Sequence, residues 1–427
     1  MCWKLTNLLG VALLVMTTYG SAAVAQTETA KPTQPSVTVG EGGVLLKDGM
    51  PYRGIGVNYF DAFSRTLENP GDTSYRKGFE ELAKRGIPFV RFMACGFWPA
   101  DWKPYFSGKE DYFKRMDGVV RAAEEYGVGL IPSLCWHYPT IPDLVGESCN
   151  QWGNPDSKTI AFMEQYVREV VSRYVDSPAV WAWELGNEYS LAADLPNAAE
   201  HRPYVAPLMG TAPSRSEADE ITHDMVVTAL TEFAKEVRAL DKARPITTGN
   251  SLPRPAAHHM RTERSWTHDS REEFAANLLA VTPDPVNMAS IHLYAFDQKR
   301  FDQESAPYAE ILSLCVKAAA SVGKAVFVGE FGAPDGPEDG GPEKARADAL
   351  AILDAIEQSK VPLAALWVFD FASQNSTCNV TPTNQRAYLL DAVAEANRRV
   401  QGNAAPLAAA GAAPPPGQTS PALRNTQ

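Results

Sequence analysis

Two glutamates, Glu188 and Glu330, stand at the ends of two apolar runs of the sequence. A pair of carboxyl groups can cleave a glycosidic bond when one is protonated and donates to the leaving oxygen, while the other is ionised and attacks the anomeric carbon. An arginine beside the second carboxyl would keep it ionised, whereas burial and a neighbouring negative charge would keep the first protonated. The pair predicts this chemistry only if the fold brings the two carboxyls together.

Other polar and aromatic side chains also end apolar runs, where a purely apolar core would have none. Each of these residues is a weak signal alone, because a polar residue at the end of a strand is often a surface residue or a helix cap. Together they form a set suited to binding and cleaving a sugar. The set comprises Arg91, His137, Asn187, His292, Tyr294 and Trp367.

The elements that must position these residues repeat eight times as an apolar run followed by a helical pattern. Continuous apolar runs are typical of parallel strands covered on both faces, so the alternation predicts α/β architecture. Eight units fit a (β/α)₈ TIM barrel, whose catalytic groups lie where strands end. A doubly wound sheet is the alternative, but no G-x-G-x-x-G follows the first run. The runs are 54–59, 87–93, 128–134, 180–186, 245–249, 288–293, 325–329 and 363–369; helical segments include 112–126, 157–175, 217–240, 308–322 and 343–358, and a final helix is expected near residue 400.

Side-chain alternation along two runs gives a more detailed expectation. In the fourth run, Glu188 shares one face with Gly186 and Ala182, and in the seventh Glu330 shares one face with Val328 and Val326. By the same alternation, Glu184 also points into the barrel. It lies earlier along the run than the expected catalytic level, so we interpret it as a structural buried carboxylate. The opposite face of the fourth run, expected to pack on helices, carries Trp181, Trp183 and Leu185.

On these residues the chain resembles glycoside hydrolase family 5, a member of clan A of retaining (β/α)₈ glycosidases, over nearly all of residues 36–402. The resemblance implies that Glu188 is the acid/base and Glu330 the nucleophile. It further implies that Asn187 binds the sugar 2-hydroxyl and that Tyr294 and Arg91 orient Glu330. The remaining implied roles are tuning of the acid/base by His292 and sugar contacts by His137 and Trp367.

The same resemblance leaves the substrate open. The string Trp-Glu-Leu-Gly-Asn-Glu, followed by His-Leu-Tyr, is more similar to the β-mannanase branch than to the cellulase branch. The expected function is an endo-β-1,4-mannanase acting on a β-linked polysaccharide or oligosaccharide, with a cellulase-like endoglucanase or an exo-acting β-glycosidase as alternatives. A secreted glycan-binding barrel without catalysis is the non-enzyme alternative. A lyase would require a strand-end lysine or metal ligands, which the runs lack.

Further tryptophans and one long insertion are candidates for the walls of a sugar-binding cleft. Indole faces pack well on pyranose rings, although packing within the fold is an equally good reading of any one tryptophan. The insertion 190–216 is long for a loop and is expected to border the acid/base on the aglycone side, or to be a structural flap. The tryptophans are Trp98, Trp102, Trp136, Trp152 and Trp266.

The two ends of the chain reduce the length that folds. Lys4, the apolar stretch 8–16 and the small residues 21–25 predict a signal peptide cut after Ala25, and hence a secreted or periplasmic protein. Residues 26–35 form a predicted flexible lead-in, residues 36–402 the barrel, and the Ala/Pro-rich residues 403–427 a disordered tail. No other stretch resembles a membrane span, and we expect a monomer that does not associate with a membrane after cleavage.

Composition narrows the partners further. With 51 acidic against 39 basic residues and a net charge of −12, nucleic acid and anionic membranes are poor partners. No cofactor and no metal site are expected, and His258-His259 is interpreted as a polar loop. Cys315 lies at helical spacing among apolar residues and is predicted to be a buried thiol. Export permits disulfides, but the sequence does not choose among the three pairings of the other four cysteines, which are Cys95, Cys135, Cys149 and Cys378.

Overall fold

The computed structural model describes residues 36–303 and 305–402. The predicted signal peptide 1–25, the lead-in 26–35 and the tail 403–427 lie outside these residues. No helix among the described residues is long and apolar enough to cross a membrane.

Eight strands pair in parallel and in chain order, and the last pairs with the first to close a barrel. The predicted (β/α)₈ barrel is therefore confirmed, and every strand lies within or overlaps one of the eight apolar runs. Their burial is almost complete along their whole length, as expected for strands covered on both faces. The strands are β4 (Gly54–Asn58), β5 (Phe89–Met93), β6 (Gly129–Ser133), β7 (Trp183–Glu184), β8 (Ile246–Thr247), β9 (Met288–Tyr294), β10 (Ala325–Gly332) and β11 (Leu363–Leu366).

Before the barrel, the chain forms an antiparallel sheet of β1 (Val37–Val39), β2 (Leu45–Lys47) and β3 (Met50–Pro51). Val37 and Leu45 are buried in one cluster with residues from the beginnings of barrel strands, such as Phe89 and Ala325. The small sheet therefore closes the amino-terminal end of the barrel, and functional groups are left to the opposite end.

Helices surround the barrel and follow the predicted segments closely. They are α1 (Ser64–Glu68), α2 (Tyr75–Lys84), α3 (Lys103–Ser107), α4 (Lys109–Tyr126), α5 (Thr140–Val145), α6 (Lys158–Tyr174), α7 (His223–Leu240), α8 (Ala257–Glu263), α9 (Arg271–Ala280), α10 (Tyr308–Ser321), α11 (Gly341–Gln358) and α12 (Tyr388–Gly402). The last helix is fixed to the first barrel strand, because the Asn397 side chain accepts from the Ile55 N–H at 2.8 Å and donates to its carbonyl at 2.7 Å.

Helix starts are set by capping side chains. The Ser157 hydroxyl accepts the Ile160 N–H and begins α6 one residue after the predicted start. The helix predicted from residue 217 begins instead at His223, because Thr222 is its N-cap. Residues Glu217–Asp219 form a separate 3₁₀ turn closed by Ser216.

The expected packing of Trp181 on the helices is wrong. Its ring lies 5.5 Å from that of Phe89 and 5.7 Å from that of Tyr52, within the cluster at the closed end of the barrel. Trp183 does lie on the helix side, and its indole N–H donates to Asp241 at the end of α7 at 2.9 Å. Regular alternation fails here because β7 is only two residues long and begins after Trp181.

The face predicted for Glu330 together with Val326 and Val328 is also wrong, because β10 contains a β-bulge. Val328 pairs with Ile291 and Glu330 with His292, so Gly329 is one extra residue in the strand. Val326 and Val328 belong to the large cluster that contacts the helices. The bulge reverses the alternation after Val328, and this reversal points the Glu330 side chain into the barrel.

The pair His258-His259 lies on α8 and not in a loop. The Asp269 carboxylate accepts the backbone N–H groups of His258 at 2.8 Å and His259 at 3.3 Å, and so caps the start of this helix. The cap comes from outside the helix, so local sequence does not reveal it.

All five cysteines of the described region are buried free thiols, as predicted for Cys315, and none of the three open pairings is formed.

Replacement of Gly329 by alanine tests the bulge. A Cβ there would lie 2.9 Å from His292 Nε2 and 3.1 Å from Ser290 Oγ, and both side chains are buried. Because neither neighbour has space to move, we expect Gly329→Ala to lower the free energy of unfolding by about 1–3 kcal/mol in urea denaturation. Gly71→Ala is the matched control, since its Cβ would meet nothing closer than 3.6 Å. Equal stability of the two variants would contradict this account.

Candidate active site

Arg91, near the end of β5, is the centre of the polar cluster in the barrel. Its side chain is fully buried and donates to Glu184 at 2.8 and 3.1 Å, and to Glu330 at 2.8 Å. It also donates to Asn58 Oδ1 at 3.1 Å and to Asn187 Oδ1 at 2.8 Å. The guanidinium plane lies 4.4 Å from the Trp136 ring. One cation therefore joins the ends of β4, β5, β7 and β10.

Glu330 is held on both carboxylate oxygens. Arg91 donates to Oε1 at 2.8 Å, and the Tyr294 hydroxyl donates to Oε2 at 2.5 Å. Both contacts are donors, and the one from Arg91 carries a full positive charge, so it is a charge-assisted hydrogen bond. Burial raises the pKa of Tyr294 well above its usual value, which keeps its hydroxyl a donor.

Glu188 has different surroundings. Its Oε1 lies 2.8 Å from Nδ1 of His292, whose own side chain is completely buried. Burial lowers the pKa of His292 to about 3, so the imidazole is neutral and the contact is a hydrogen bond between a carboxyl and a neutral ring. Burial also raises the pKa of Glu188, although Arg91, a hydrogen bond from Ser251 and Arg254 reduce the increase. These surroundings stabilise the protonated form of Glu188.

Arg91 orients the side-chain amide of Asn187, and a backbone hydrogen bond holds the residue in place. Its Oδ1 accepts from Arg91, and its backbone N–H donates to the Trp136 carbonyl at 2.9 Å. Because the oxygen faces Arg91, the amide nitrogen is directed away from that cation. Asn187 lines the main cleft together with both glutamates, so its two N–H groups are available to a bound molecule.

The two carboxyls lie close together in a large cleft. One oxygen each of Glu188 and Glu330 and one ring nitrogen of His292 lie within 4.8 Å of one another. The cleft has a volume of ≈ 1310 Å³ and is lined at its centre by Asn187, Tyr294 and Trp367. Glu330, paired with a cation, therefore lies beside Glu188, whose pKa burial raises, and the cleft has space above both for a sugar chain.

Two clusters of the described residues have the ligand types that bind metal ions. The first is the trio Glu188, His292 and Glu330, whose atoms are already used in the contacts above. The second is His259, Asp269 and Glu273. There the Asp269 carboxylate caps α8, and the Glu273 carboxylate accepts the Ser270 N–H at 2.8 Å. Helix capping accounts for this second cluster.

Comparison with known proteins decides the family. The model of the cellulase family (glycosyl hydrolase family 5) matches residues 49–373, which is more than half of the 427-residue chain. The chain belongs to glycosyl hydrolase family 5. The resemblance inferred from the strand-end residues is thus confirmed.

Relatives within family 5 include mannanases. A probable mannan endo-1,4-beta-mannosidase F of Aspergillus flavus is 34% identical over 132 residues, or 26% of this chain and 28% of that protein. The mannan endo-1,4-beta-mannosidase F of Aspergillus clavatus is 26% identical over 209 residues, or 40% of this chain and 47% of that protein. The matched segments thus span less than half of each relative's length.

A solved structure shares the fold across nearly the whole barrel. The endo-1,4-beta-mannanase of Rhizomucor miehei superposes with a TM-score of 0.61 at 15% identity, covering 86% of this chain and 99% of that one. At this identity the likeness concerns the fold alone.

The family 5 barrel brings seven of the eight predicted residues to the cleft or its immediate support. Trp367 lines the cleft, with its ring stacked at 6.2 Å and 26° on that of Trp136. Glu184 is fully buried as predicted, and it also acts on the site because it shares Arg91 with Glu330. The others are Arg91, Asn187, Glu188, His292, Tyr294 and Glu330.

His137 is the eighth residue, and it is not among the residues that line the main cleft. Its ring stacks on Phe97 at 4.6 Å, and its Nδ1 lies 3.2 Å from the Thr140 hydroxyl. It lines an adjoining recess of ≈ 460 Å³ whose lining also includes Asn187, Glu188 and part of the insertion 190–216. The aromatic that β6 supplies to the main cleft is Trp136, one residue earlier.

The other tryptophans divide between cleft and core. Trp98 lines the cleft with Trp136. Stacking on a sugar is wrong for Trp102 and Trp152, because both are buried and their indole N–H groups donate to backbone carbonyls at 3.1 and 2.8 Å. Trp266 is half exposed and is not among the residues that line the main cleft.

The insertion borders Glu188, as predicted. Leu191 donates its backbone N–H to the Glu188 carbonyl at 3.0 Å, and both Leu191 and Met209 line the cleft. Its far part is fixed to α5 by Arg215, which donates to both oxygens of Asp143 at 2.7 Å.

Sequence reasoning missed Asn58 and Phe296. Asn58 ends the first apolar run, so the rule that strand ends carry the site would have found it; it donates to the Gly329 carbonyl at 2.9 Å and accepts from Arg91. Phe296 follows Tyr294 by two residues and stacks on it at 5.4 Å and 6°. Its ring lines the cleft although 67% of the residue is exposed. No periodic signal marks an exposed ring in a loop.

Removal of the central cation tests the cluster. In Arg91→Met, the buried Glu184 and Glu330 would face each other's charge without a partner, so we expect a loss of about 3–5 kcal/mol in unfolding free energy and of all activity. Arg168→Met is the control, because Arg168 pairs with Glu236 at 2.8 Å on the surface, and such a pair contributes only about 0–1 kcal/mol. Comparable urea midpoints for the two variants would refute the role of Arg91.

Proposed function

We propose that this family 5 protein is a retaining glycoside hydrolase that cleaves a β-linked polysaccharide or oligosaccharide, with Glu330 as nucleophile and Glu188 as acid/base. The observation that carries the proposal is the separation of 4.8 Å or less between oxygens of the two carboxyls. Retaining enzymes hold their carboxyl groups about 5–5.5 Å apart, whereas inverting enzymes leave about 6.5–9.5 Å for a water molecule.

The surroundings of each carboxyl support this division of roles. Arg91 and Tyr294 donate to Glu330, which favours the ionised form that a nucleophile needs. Burial beside the neutral His292 raises the pKa of Glu188, which favours the protonated form that an acid needs. The reverse assignment would require Glu330 to keep a proton against a cation 2.8 Å away.

The reaction then takes two displacements. Glu330 attacks the anomeric carbon while Glu188 gives its proton to the departing glycosidic oxygen, which forms a glycosyl–Glu330 ester and releases the leaving sugar. Glu188, now ionised, takes a proton from a water molecule as that water attacks the same carbon and frees Glu330. The Asn187 amide is available to donate to the sugar 2-hydroxyl in both steps, because Arg91 holds its oxygen.

Mannan is the substrate that we propose, with endo action on β-1,4 linkages. The strand-end string around Glu184 and Glu188 and the mannan endo-1,4-beta-mannosidases among the relatives both support it. A glucan substrate and exo action on a short glycoside stay as alternatives. A glycan-binding barrel without catalysis is a weaker alternative, since binding alone does not need an ionised and a protonated carboxyl side by side.

We further propose that the protein is exported and acts as a monomer on a neutral polysaccharide. The signal-like residues before position 26 support export, and the net charge of −12 gives no attraction to anionic partners. Purified from the secreting host, the amino-terminal sequence should begin at Gln26.

Variants of the two carboxyls test the assignment. Glu330→Gln should abolish turnover of every accepted β-glycoside. Glu188→Gln should lower kcat about 10²–10⁴-fold on substrates with sugar leaving groups but spare the first step on aryl glycosides with activated leaving groups, which need no proton. Full activity of Glu330→Gln would show that another group attacks the sugar.

The pH dependence of activity is a second test of the roles proposed for Glu188 and Glu330. Activity requires protonated Glu188, so kcat/KM on a sugar leaving group should fall as the pH rises through its raised pKa. In Glu188→Gln, with an activated aryl glycoside, this alkaline limb should disappear. If the alkaline limb remained in Glu188→Gln, it would have to arise from the titration of a different group.

A panel of polysaccharides distinguishes the substrates and the modes of action. Mannan, glucomannan, carboxymethylcellulose, xyloglucan and β-1,3/1,4-glucan should be compared, with the sizes of early products recorded. We expect mixed oligosaccharides from mannan. Release of single sugars only would favour the exo alternative, and hydrolysis of carboxymethylcellulose without mannan would favour the glucanase.

Phe296 is proposed as a platform for a sugar ring in the cleft. Because its exposed ring is held flat against Tyr294, Phe296→Ala should raise KM for a long oligosaccharide about 5- to 10-fold, in line with the loss of an aromatic contact, and leave kcat on a small aryl glycoside unchanged. Phe106→Ala is the matched control, since Phe106 is 59% exposed and is not among the residues lining the cleft. Equal KM values for the two variants would refute the platform.

A further inference from the structure

Two polar atoms behind the acid/base have no hydrogen-bond partner among the described residues. They are Nε2 of His292 and Oγ of Ser290, both on the inward face of β9. The His292 side chain is completely buried, and Ser290 is 1% exposed. A buried donor left without an acceptor costs roughly 1–3 kcal/mol, so native proteins seldom keep two such atoms in one place without use.

The two atoms face the same point. A Cβ built on Gly329 would lie 2.9 Å from His292 Nε2 and 3.1 Å from Ser290 Oγ. Glycine at the β-bulge leaves that space open, and the polar atoms on either side of it are close enough for one shared water molecule to join them.

The position of the single ring proton of neutral His292 matters to Glu188. With the proton on Nε2, the bare Nδ1 accepts from protonated Glu188 across the 2.8 Å contact. With the proton on Nδ1, the ring would donate to ionised Glu188 instead. The first arrangement favours the acid form of Glu188 and the second favours the base form.

We propose that one water molecule joins these two atoms, accepting the Nε2 proton of His292 and donating to the Ser290 hydroxyl oxygen, and that Ser290 is therefore a positioning residue for Glu188. An acceptor behind Nε2 fixes the proton there and leaves the Nδ1 lone pair facing Glu188. This inference rests on the acid/base role proposed for Glu188.

Other charged groups also act on His292 and Glu188, and a substitution of Ser290 removes none of them. His292 Nδ1 also lies 3.7 Å from Glu330. Arg91 and Arg254 act on Glu188 from β5 and from the loop after β8. Glu188 in turn influences Tyr294 and Asp297, on β9 and just after it. A shift seen in a Ser290 variant therefore has its origin in the hydroxyl.

The ring nitrogens of His292 give a test that needs no enzymatic activity. In ¹⁵N-labelled full-length protein, with the His292 signals assigned by their loss in His292→Gln, Nε2 should be the protonated nitrogen. In Ser290→Ala, protonated Nδ1 should become detectable. An unprotonated Nε2 in the native protein would overturn the proposal, even if Glu188 were fully established as the acid/base.

The pH profile of kcat/KM gives the functional test. Ser290→Ala should move the alkaline limb about 0.5–1 pH unit lower, because a neutral hydrogen bond is worth that much of a pKa difference. Ser290→Thr, which keeps a hydroxyl, should restore the native limb. Thr247→Val is the matched control, since Thr247 Oγ1 is also buried without a partner but pairs in register with Met288, four residues before His292.

The outcomes separate this role from a structural one. A lower melting temperature for Ser290→Ala with the native pH profile and native ring signals would overturn the proposal. Equal shifts of the limb in Ser290→Ala and Thr247→Val would overturn it as well. If no glycoside were hydrolysed by the native protein, the acid/base assignment would fail, and the nitrogen signals would still report on the Ser290–His292 contact.

Discussion

The structure of the site depends on the buried guanidinium of Arg91. Two carboxyl groups, those of Glu184 and Glu330, contact it at 2.8 Å, and both side chains are buried. A buried cation of this kind is weak evidence for stability, because well-packed apolar residues often do as well. Its value lies in specificity: the planar fork of donors on β5 has to meet acceptors from the ends of three other strands at once, so the barrel has to close in one register for all of them to be satisfied.

Around this centre, the same cleft gives two glutamates opposite properties. Glu330 lies on β10 just after the extra residue of the bulge, and the bulge directs its side chain toward Arg91. Glu188 follows its strand in a left-handed backbone conformation (φ 55°), which directs it toward a neutral histidine and away from direct contact with Arg91. Oxygens within 4.8 Å of each other thus differ in which protonation state their neighbours stabilise. The difference comes from backbone irregularities at two strand ends and not from residue type.

These backbone irregularities are also the features that the sequence did not predict. Apolar runs predicted all eight strands, and the rule that barrel chemistry lies at strand ends found Arg91, Glu188 and Glu330. The prediction that Val326 and Val328 share a face with Glu330 was wrong, because β10 has a bulge at Gly329. The bulge depends on how β10 pairs with β9, and this pairing is not visible in the local sequence. Loop geometry put Trp136 in the main cleft and His137 in the adjoining recess that Glu188 also lines, since loop residues lack the fixed alternation of a strand. The cap from Asp269 on α8 is likewise a contact between distant segments.

The barrel interior is layered, and the layering explains how a polar centre is tolerated. The closed end is filled by large apolar rings, such as Phe89 and Phe327, under the small amino-terminal sheet. Hydroxyls such as those of Ser133 and Thr247 lie at the level of Glu184, since these three residues pair in register across β6, β7 and β8. The charged layer and the cleft follow. Apolar burial at the closed end offsets the desolvation of the ions above it. The hydroxyl layer separates those ions from the apolar rings. An unpaired hydroxyl such as that of Thr247 costs far less to bury than an unpaired charge, so small neutral groups can fill the level between the ions and the rings where a further charge could not.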